Sequence, residues 1–262
     1  MVHSTPLATY IKAATSKLHH ESMPLKPIFG AEITGYTPTL KHGRVNRVLL
    51  YPGCFNPPHK GHLALLTQGY HRSGSDLNIV AAIVIPLNNE MLSAKFGLTG
   101  ENLQLSQHER VRLWRGHRPS SWFWVYDETL KKDWGSFQRA LVTAATSDGF
   151  NLEFALLCGP DHVAPNVISP HAWGCNTIVV GEADRPATFN PILGLPPQRL
   201  QNCHPWELVP VDERFLRRDV EKRAKLFLSG TITTASGITK NNYNRGKIWM
   251  SMPSQNISVD KC

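Results

Sequence analysis

The sequence predicts an α/β fold: one parallel sheet of five or six strands with helices on both faces. Three observations carry that reading. Five short runs rich in apolar or aromatic residues recur along the chain, around Val48–Tyr51, Ile79–Ile85, Trp122–Tyr126, Leu152–Cys158 and Asn176–Val180. Several are apolar without alternation, as strands covered on both faces must be. Amphipathic helical stretches lie between them, the rhythm of strands joined by crossover helices.

In chain order, residues 1–45 form an N-terminal extension. Leu7, Ile11, Ala14 and Leu18 recur at helical spacing, so a short amphipathic helix is expected up to His20. Pro24 to His42 reads as loop, with one short extended piece around Phe29–Ile33, because Pro and Gly punctuate it. His19 and His20 read as a solvated helix end. The extension is expected to pack on the domain without carrying chemistry.

The most informative stretch follows. Val48 to Tyr51 is an apolar β-run, and Pro52, Gly53, Asn56, Pro57 and Pro58 then break it. After Gly61 the pattern turns helical, with Leu63, Leu65 and Leu66 apolar before Gly69 ends the run. Strand, rigid loop and helix start is the arrangement at which α/β folds bind phosphates, because backbone N–H groups and the positive dipole end point at the ligand. His59 and His62 stand three apart at that helix start and project to one side. Gly53 gives a phosphate close access to the backbone, and Pro57-Pro58 stiffens the loop. No carboxylate or Ser nucleophile is placed for a covalent intermediate, although Cys54 is near. Direct displacement at phosphorus, aided by positioning and charge stabilisation, is the chemistry these residues suit.

Asn78 to Leu87 is expected as the second strand, and Pro86 to Gly100 as a long loop after it. Ser106-Gln-His-Glu109 is a capping box that opens a helix to about His117. Trp122 to Tyr126 is the third strand, Trp134 to Thr146 a helix, and Leu152 to Cys158 the fourth strand, ending in Gly159-Pro-Asp161. Asn176 to Val180 is the fifth, followed by Arg185, whose guanidinium suits phosphate or ribose. Glu207 to Val211 reads as a last short strand and Val211 to Ser229 as a helix with a solvated basic face.

Composition bounds these readings. The chain has 262 residues, 41% hydrophobic and 18% charged, enough for one decorated domain with a sizeable core. No apolar run approaches a membrane span, and the first residues lack a signal-peptide pattern. Net charge is +8, from 28 basic and 20 acidic residues, which serves a triphosphate site as well as nucleic acid. No RNA-binding signature stands beside that charge, so nucleic acid is not the expected partner. The five cysteines have no zinc-type spacing, and reduced thiols in the cytoplasm or nucleus are expected.

Gly53-Cys54-Phe55-Asn56-Pro57-Pro58-His59-Lys60-Gly61-His62 resembles the G-x-F-x-P-x-H-x-G-H signature of the HxGH nucleotidyltransferases. Within them it is most similar to the nicotinamide mononucleotide adenylyltransferases and their fungal relatives. The resemblance covers residues 46–230, and it implies a Rossmann-like nucleotidyltransferase fold. It implies that His59 and His62 contact nucleotide phosphates, with His62 at the transferring α-phosphate and main-chain groups of Gly53 to Asn56 and Gly61 around the nucleotide. Lys95 is the candidate for the mononucleotide phosphate. Leu156-Leu-Cys-Gly159-Pro-Asp161 matches a second family motif, with Gly159 giving room for the nucleotide and Asp161 accepting ligand hydrogen bonds. A helix-capping carboxylate is the alternative for Asp161. Trp173 corresponds to a family Trp near the base pocket, or is a half-buried loop Trp.

Two departures qualify the resemblance. Family members place a Trp after the third strand, whereas this chain has Asp127 and Glu128 without it. The family's second signature, Ile-Ser-x-Thr-x-Ile-Arg, is matched only by Thr231 to Ser236, with Thr233 and Thr234 as hydroxyl donors and no Arg in place. Lys240 does not reproduce an arginine fork. A displaced basic residue (Arg245 or Lys247), a weakened enzyme and a non-natural C-terminus all stay open. Residues 231–262 thus read as a degenerate signature and a loose tail.

The resemblance implies an enzyme that transfers AMP from ATP to nicotinamide mononucleotide, giving NAD and pyrophosphate, with Mg²⁺ held by the substrate phosphates. Transfer of AMP or CMP to another phosphorylated acceptor is the alternative of the same class. A catalytically weak nucleotide-binding or regulatory protein is the alternative of a different one. No protein metal ligands and no membrane are expected, and self-association is open.

Overall fold

In the computed structural model the described residues are 4–18, 27–30, 35–73, 77–96, 104–127, 134–159, 173–181 and 248–251. The strand that leads to the histidine motif, β3 (Val45–Gly53), lies in the middle of a six-stranded sheet. Val48, Leu49 and Leu50 are fully buried because the strand is covered on both faces. β4 (Ile79–Pro86) pairs with it on one side and β6 (Asn151–Cys158) on the other, both parallel. β5 (Phe123–Val125) adds to β4, and β7 (Thr177–Gly181) adds to β6, again parallel. The order β5-β4-β3-β6-β7 means that the chain builds outward in one direction, then returns to build on the other side of β3. The Rossmann-like α/β fold is therefore as expected. Its topological switch point falls between β3 and β6, where such sheets open a crevice beyond the strand ends.

Helices cover both faces. Even positions of β3, Val48 and Leu50, face a cluster with Leu7 and Ile11 of α1 (Leu7–Leu18) and Phe137 and Leu141 of α5 (Trp134–Ser147). Odd positions, Leu49 and Tyr51, face Leu65 and Leu66 of α2 (Lys60–Arg72) and Val111 and Trp114 of α4 (Gln107–Arg115). The aromatic third strand divides in the same way, Trp122 and Phe123 to one cluster, Trp124 and Tyr126 to the other.

Several sequence expectations change. The long loop expected over Pro86 to Gly100 contains α3 (Asn89–Phe96). Asn88, within that expected loop, caps it by accepting from the Met91 N–H at 2.8 Å, and Leu92 is buried beneath it. Gly69 does not end a helix but lies within α2, where an added Cβ would stand 2.7 Å from the Leu157 side chain. Its role is to let α2 approach the sheet closely. The tail expected to be loose contributes β8 (Ile248–Ser251), which pairs antiparallel with β7. Its Ile-Trp-Met sequence has the β-branched and aromatic character common in strands. The expected strand at Glu207 to Val211 and the helix at Val211 to Ser229 lie outside the described residues. Among the described residues no helix is long and apolar enough to cross a membrane.

The N-terminal helix is built into the core. Leu7 and Ile11 are fully buried, and Tyr10 packs edge-on against Phe150 while its hydroxyl donates to Asp148 Oδ2 at 2.8 Å. A two-stranded antiparallel ribbon, β1 (Ser4–Pro6) with β2 (Thr39–Lys41), brackets that helix. Truncating Ile11 to Ala is expected to cost about 2–5 kcal/mol of unfolding free energy in urea titrations. A loss below about 0.5 kcal/mol would show that α1 is a surface appendage.

Candidate active site

β3 ends at Gly53, whose carbonyl accepts from the Leu87 N–H at 3.0 Å and so ties the ends of β3 and β4 together. The chain then turns sharply. Phe55 has a left-handed backbone, φ 47, and the Asn56-Pro57 peptide is cis. The Phe55 ring folds back under the strand end. A Cβ on Gly53 would lie 2.7 Å from that ring, so only glycine fits beneath it. The ring packs edge-on against Tyr51, Trp114 and His62, with centroids 5.0, 5.1 and 5.1 Å away. The room that Gly53 leaves is thus filled by Phe55, and it is the loop's main chain that remains for a ligand.

His59 is the N-cap of α2 and His62 its third residue. The Gly61 N–H donates to His59 Nδ1 at 3.2 Å, and the His59 N–H donates to His62 Nδ1 at 3.2 Å. The pair forms a reciprocal capping box, in which the His59 ring also takes the backbone N–H of His62, with the two rings stacked 3.7 Å apart. The sequence places backbone N–H groups of this helix start toward a ligand. Here those of His59, Gly61 and His62 are taken by the imidazoles. Because each Nδ1 accepts, each neutral ring carries its proton on Nε2. Each ring then carries its N–H on the nitrogen that does not cap the helix, and no acidic residue stands in the first turn.

The loop is anchored from the α4 side by residues that sequence reading did not single out for the site. Arg110 is fully buried. It donates to the carbonyl of Cys54 at 2.6 Å, to the carbonyl of Leu105 at 3.1 Å and to Asn89 Oδ1 at 3.1 Å. Asn56 Oδ1 accepts from the Leu105 N–H at 2.8 Å, Asn89 Oδ1 from the Gln107 N–H at 2.7 Å, and Gln107 Nε2 donates to the Pro86 carbonyl at 2.9 Å. The signal was present: Gln107, Arg110, Val111 and Trp114 form one buried stripe at helical spacing, so Arg110 stands where an apolar residue is expected. His108, two residues before it, is exposed. The capping box at Ser106 forms as expected. The Ser106 hydroxyl and backbone N–H bonds to Glu109 hold that carboxyl below its usual range.

Other candidates are more dispersed. Leu50 pairs with Leu156, so Gly53 and Gly159, each three residues further on, reach the same edge of the sheet on either side of the switch point. Gly159 is buried there. Lys95 is exposed in the last turn of α3. Trp173 is partly buried against the α1/α5 cluster, and its carbonyl accepts from Gln138 Nε2 at 2.9 Å. Cys54 is half-buried, whereas burial pushes the Cys175 thiol up, Cys158 adding to the shift. Asp161, Arg185, Thr233 and Thr234 lie outside the described residues. Among the described residues no group of three or more His, Cys, Asp or Glu could hold a metal ion.

Residues 50–165 match a family model described as cytidylyltransferase-like. The matched span runs from within β3 to beyond β6 and includes the motif loop, both histidines and Arg110. That similarity supports a nucleotidyltransferase domain. No curated protein matches the chain.

The contact between Gly53 and Phe55 sets a prediction. Gly53→Ala is expected to cost about 1–3 kcal/mol by overpacking, and adding Phe55→Leu in the same chain to recover part of it. Urea unfolding of the two single variants and the double variant reads the coupling. Costs that add within about 0.5 kcal/mol would show that the ring does not press on Gly53.

Proposed function

We propose that the protein transfers a nucleotidyl group from a nucleoside triphosphate to a phosphorylated acceptor, and that the pair is ATP with nicotinamide mononucleotide, giving NAD and pyrophosphate. The observation that carries this is the histidine capping box. It places two Nε2–H donors at one helix start, beside the switch point of a sheet whose matched span is cytidylyltransferase-like. Acceptor phosphate oxygen attacks the α-phosphorus. A new P–O bond forms as the bond from that phosphorus to the bridging oxygen breaks, and pyrophosphate leaves with the electron pair. His62 donates to the α-phosphate oxygen as charge grows there, and His59 holds the outer phosphates. These donors suit phosphate oxygens rather than a cation, so the Mg²⁺ of this reading is carried by the phosphates and water, where it neutralises charge. Lys95, Asp161, Trp173, Arg185, Thr233 and Thr234 are the further contacts proposed, to be tested one by one.

A second acceptor class is favoured by specific packing. Trp122 stacks on Tyr70, centroids 4.5 Å apart, and Trp124 packs against Phe137 at 5.6 Å. Asp127 is ion-paired with Arg115 at 2.7 Å. The tryptophans before and within the third strand are thus engaged in packing, which supports transfer of AMP or CMP to an acceptor without a pyridine ring.

Pyrophosphate release, measured with ATP or CTP against nicotinamide mononucleotide and other phosphorylated acceptors, tests both readings. NAD formed by the intact protein, and absent with the His59→Ala/His62→Ala double variant, is the result expected. His62→Ala alone is expected to lower kcat about 10²- to 10³-fold with ATP affinity largely kept. Release with another acceptor only would move the assignment to the second reading. Nucleotide binding without release for any acceptor would overturn both and leave a binding protein.

A further inference from the structure

We propose that Arg110 is the positioning residue of the nucleotide loop, fixing which way the peptide between Cys54 and Phe55 faces. The inference rests on the nucleotidyltransferase reading of that loop. Its guanidinium donates to the Cys54 carbonyl at 2.6 Å from a fully buried position on α4. In a trans peptide the C=O and the following N–H point in opposite directions. Drawing the Cys54 oxygen inward to Arg110 therefore turns the Phe55 N–H away from that guanidinium. A flipped peptide would present a carbonyl oxygen on the face that is to receive phosphate, and would leave an N–H against a buried cation.

The same side chain reaches the second loop. Its other nitrogens donate to Leu105 O and to Asn89 Oδ1, both at 3.1 Å. Asn89 opens α3, directly beyond the end of β4, and Asn56 is joined to Leu105 at 2.8 Å. One planar fork thus sets the loop after β3 and the helix start after β4 together, a task that an ammonium point charge performs incompletely. Burying a guanidinium is costly, and apolar replacement of buried charges is often tolerated, so packing alone gives little reason for an arginine here. A cation beneath the loop also raises the local potential felt by a polyanion.

The test compares wild type with Arg110→Met, Arg110→Lys and Asn89→Ala. Thermal unfolding is followed alongside calorimetric titration with ATP, CTP and adenosine, and steady-state kinetics use whichever acceptor turns over. In Arg110→Met the triphosphate affinity is expected to fall at least about tenfold while adenosine affinity changes less than about twofold, because only phosphates meet the turned peptide. Arg110→Lys is expected to recover part of that loss, and Asn89→Ala to raise the acceptor KM more than the triphosphate KM. Folded Arg110→Met with wild-type triphosphate affinity, or with equal losses for adenosine and triphosphate, overturns the proposal. Should Arg110→Met not fold, Arg110→Lys decides by the same ratio. If wild type binds neither ATP nor CTP, the nucleotidyltransferase reading itself falls, and this inference with it.

Discussion

The ring of Phe55 occupies the space that a side chain at residue 53 would need, and the site is arranged around that contact. Placing the ring there requires a left-handed backbone at Phe55, a conformation that costs a non-glycine residue about 1–2 kcal/mol. Burying an aromatic ring stabilises by about 1.5–3 kcal/mol, so the folded-back loop wins. The core on the α2/α4 face thereby extends to the ligand loop. Phe55 meets Trp114 and Tyr51 on its inner side and the edge of His62 at its outer end. A loop tied into the core at its middle can keep its shape without a ligand to hold it.

The histidines extend the same economy. A helix start normally meets an anion with its own backbone N–H groups. In α2 several of these are taken by Nδ1 atoms of two stacked imidazoles, which makes the helix self-capped before any ligand arrives. The positive end of the helix dipole then acts on the two imidazoles that cap it. Donors on side chains can follow charge as it shifts from one phosphate oxygen to another, which fixed amides do less readily. His59 sets the helix start and His62 answers it, so each ring's orientation depends on the other residue's backbone.

What was legible in the sequence was whatever depends on local pattern. The uniformly apolar runs around Leu49, Ile83 and Leu156 announced buried parallel strands, and Ser106 with Glu109 announced a helix start. The histidine motif carried its setting with it. Less legible was whatever depends on what lies opposite. Gly69 looked like a helix end because nothing local shows that Leu49 and Leu157 leave no room for a Cβ. Asn88 has the composition of a turn, yet its side chain starts α3. Arg110 takes its weight from Cys54 and Asn89, 56 and 21 residues away in sequence.

The sheet's last strand adds an argument about direction. Within the tail that reads as patternless, Ile248 to Ser251 gains its order from pairing with β7, a partner about seventy residues earlier that no local window contains. Because the pairing is antiparallel, Ile248 lies opposite Gly181, at the end of β7 where the parallel strands terminate. Gly53 and Gly159 stand at that same edge. A parallel β8 would instead begin at the far edge of the sheet. The last strand thus starts at the edge of the sheet where Gly53 and Gly159 stand and runs away from it.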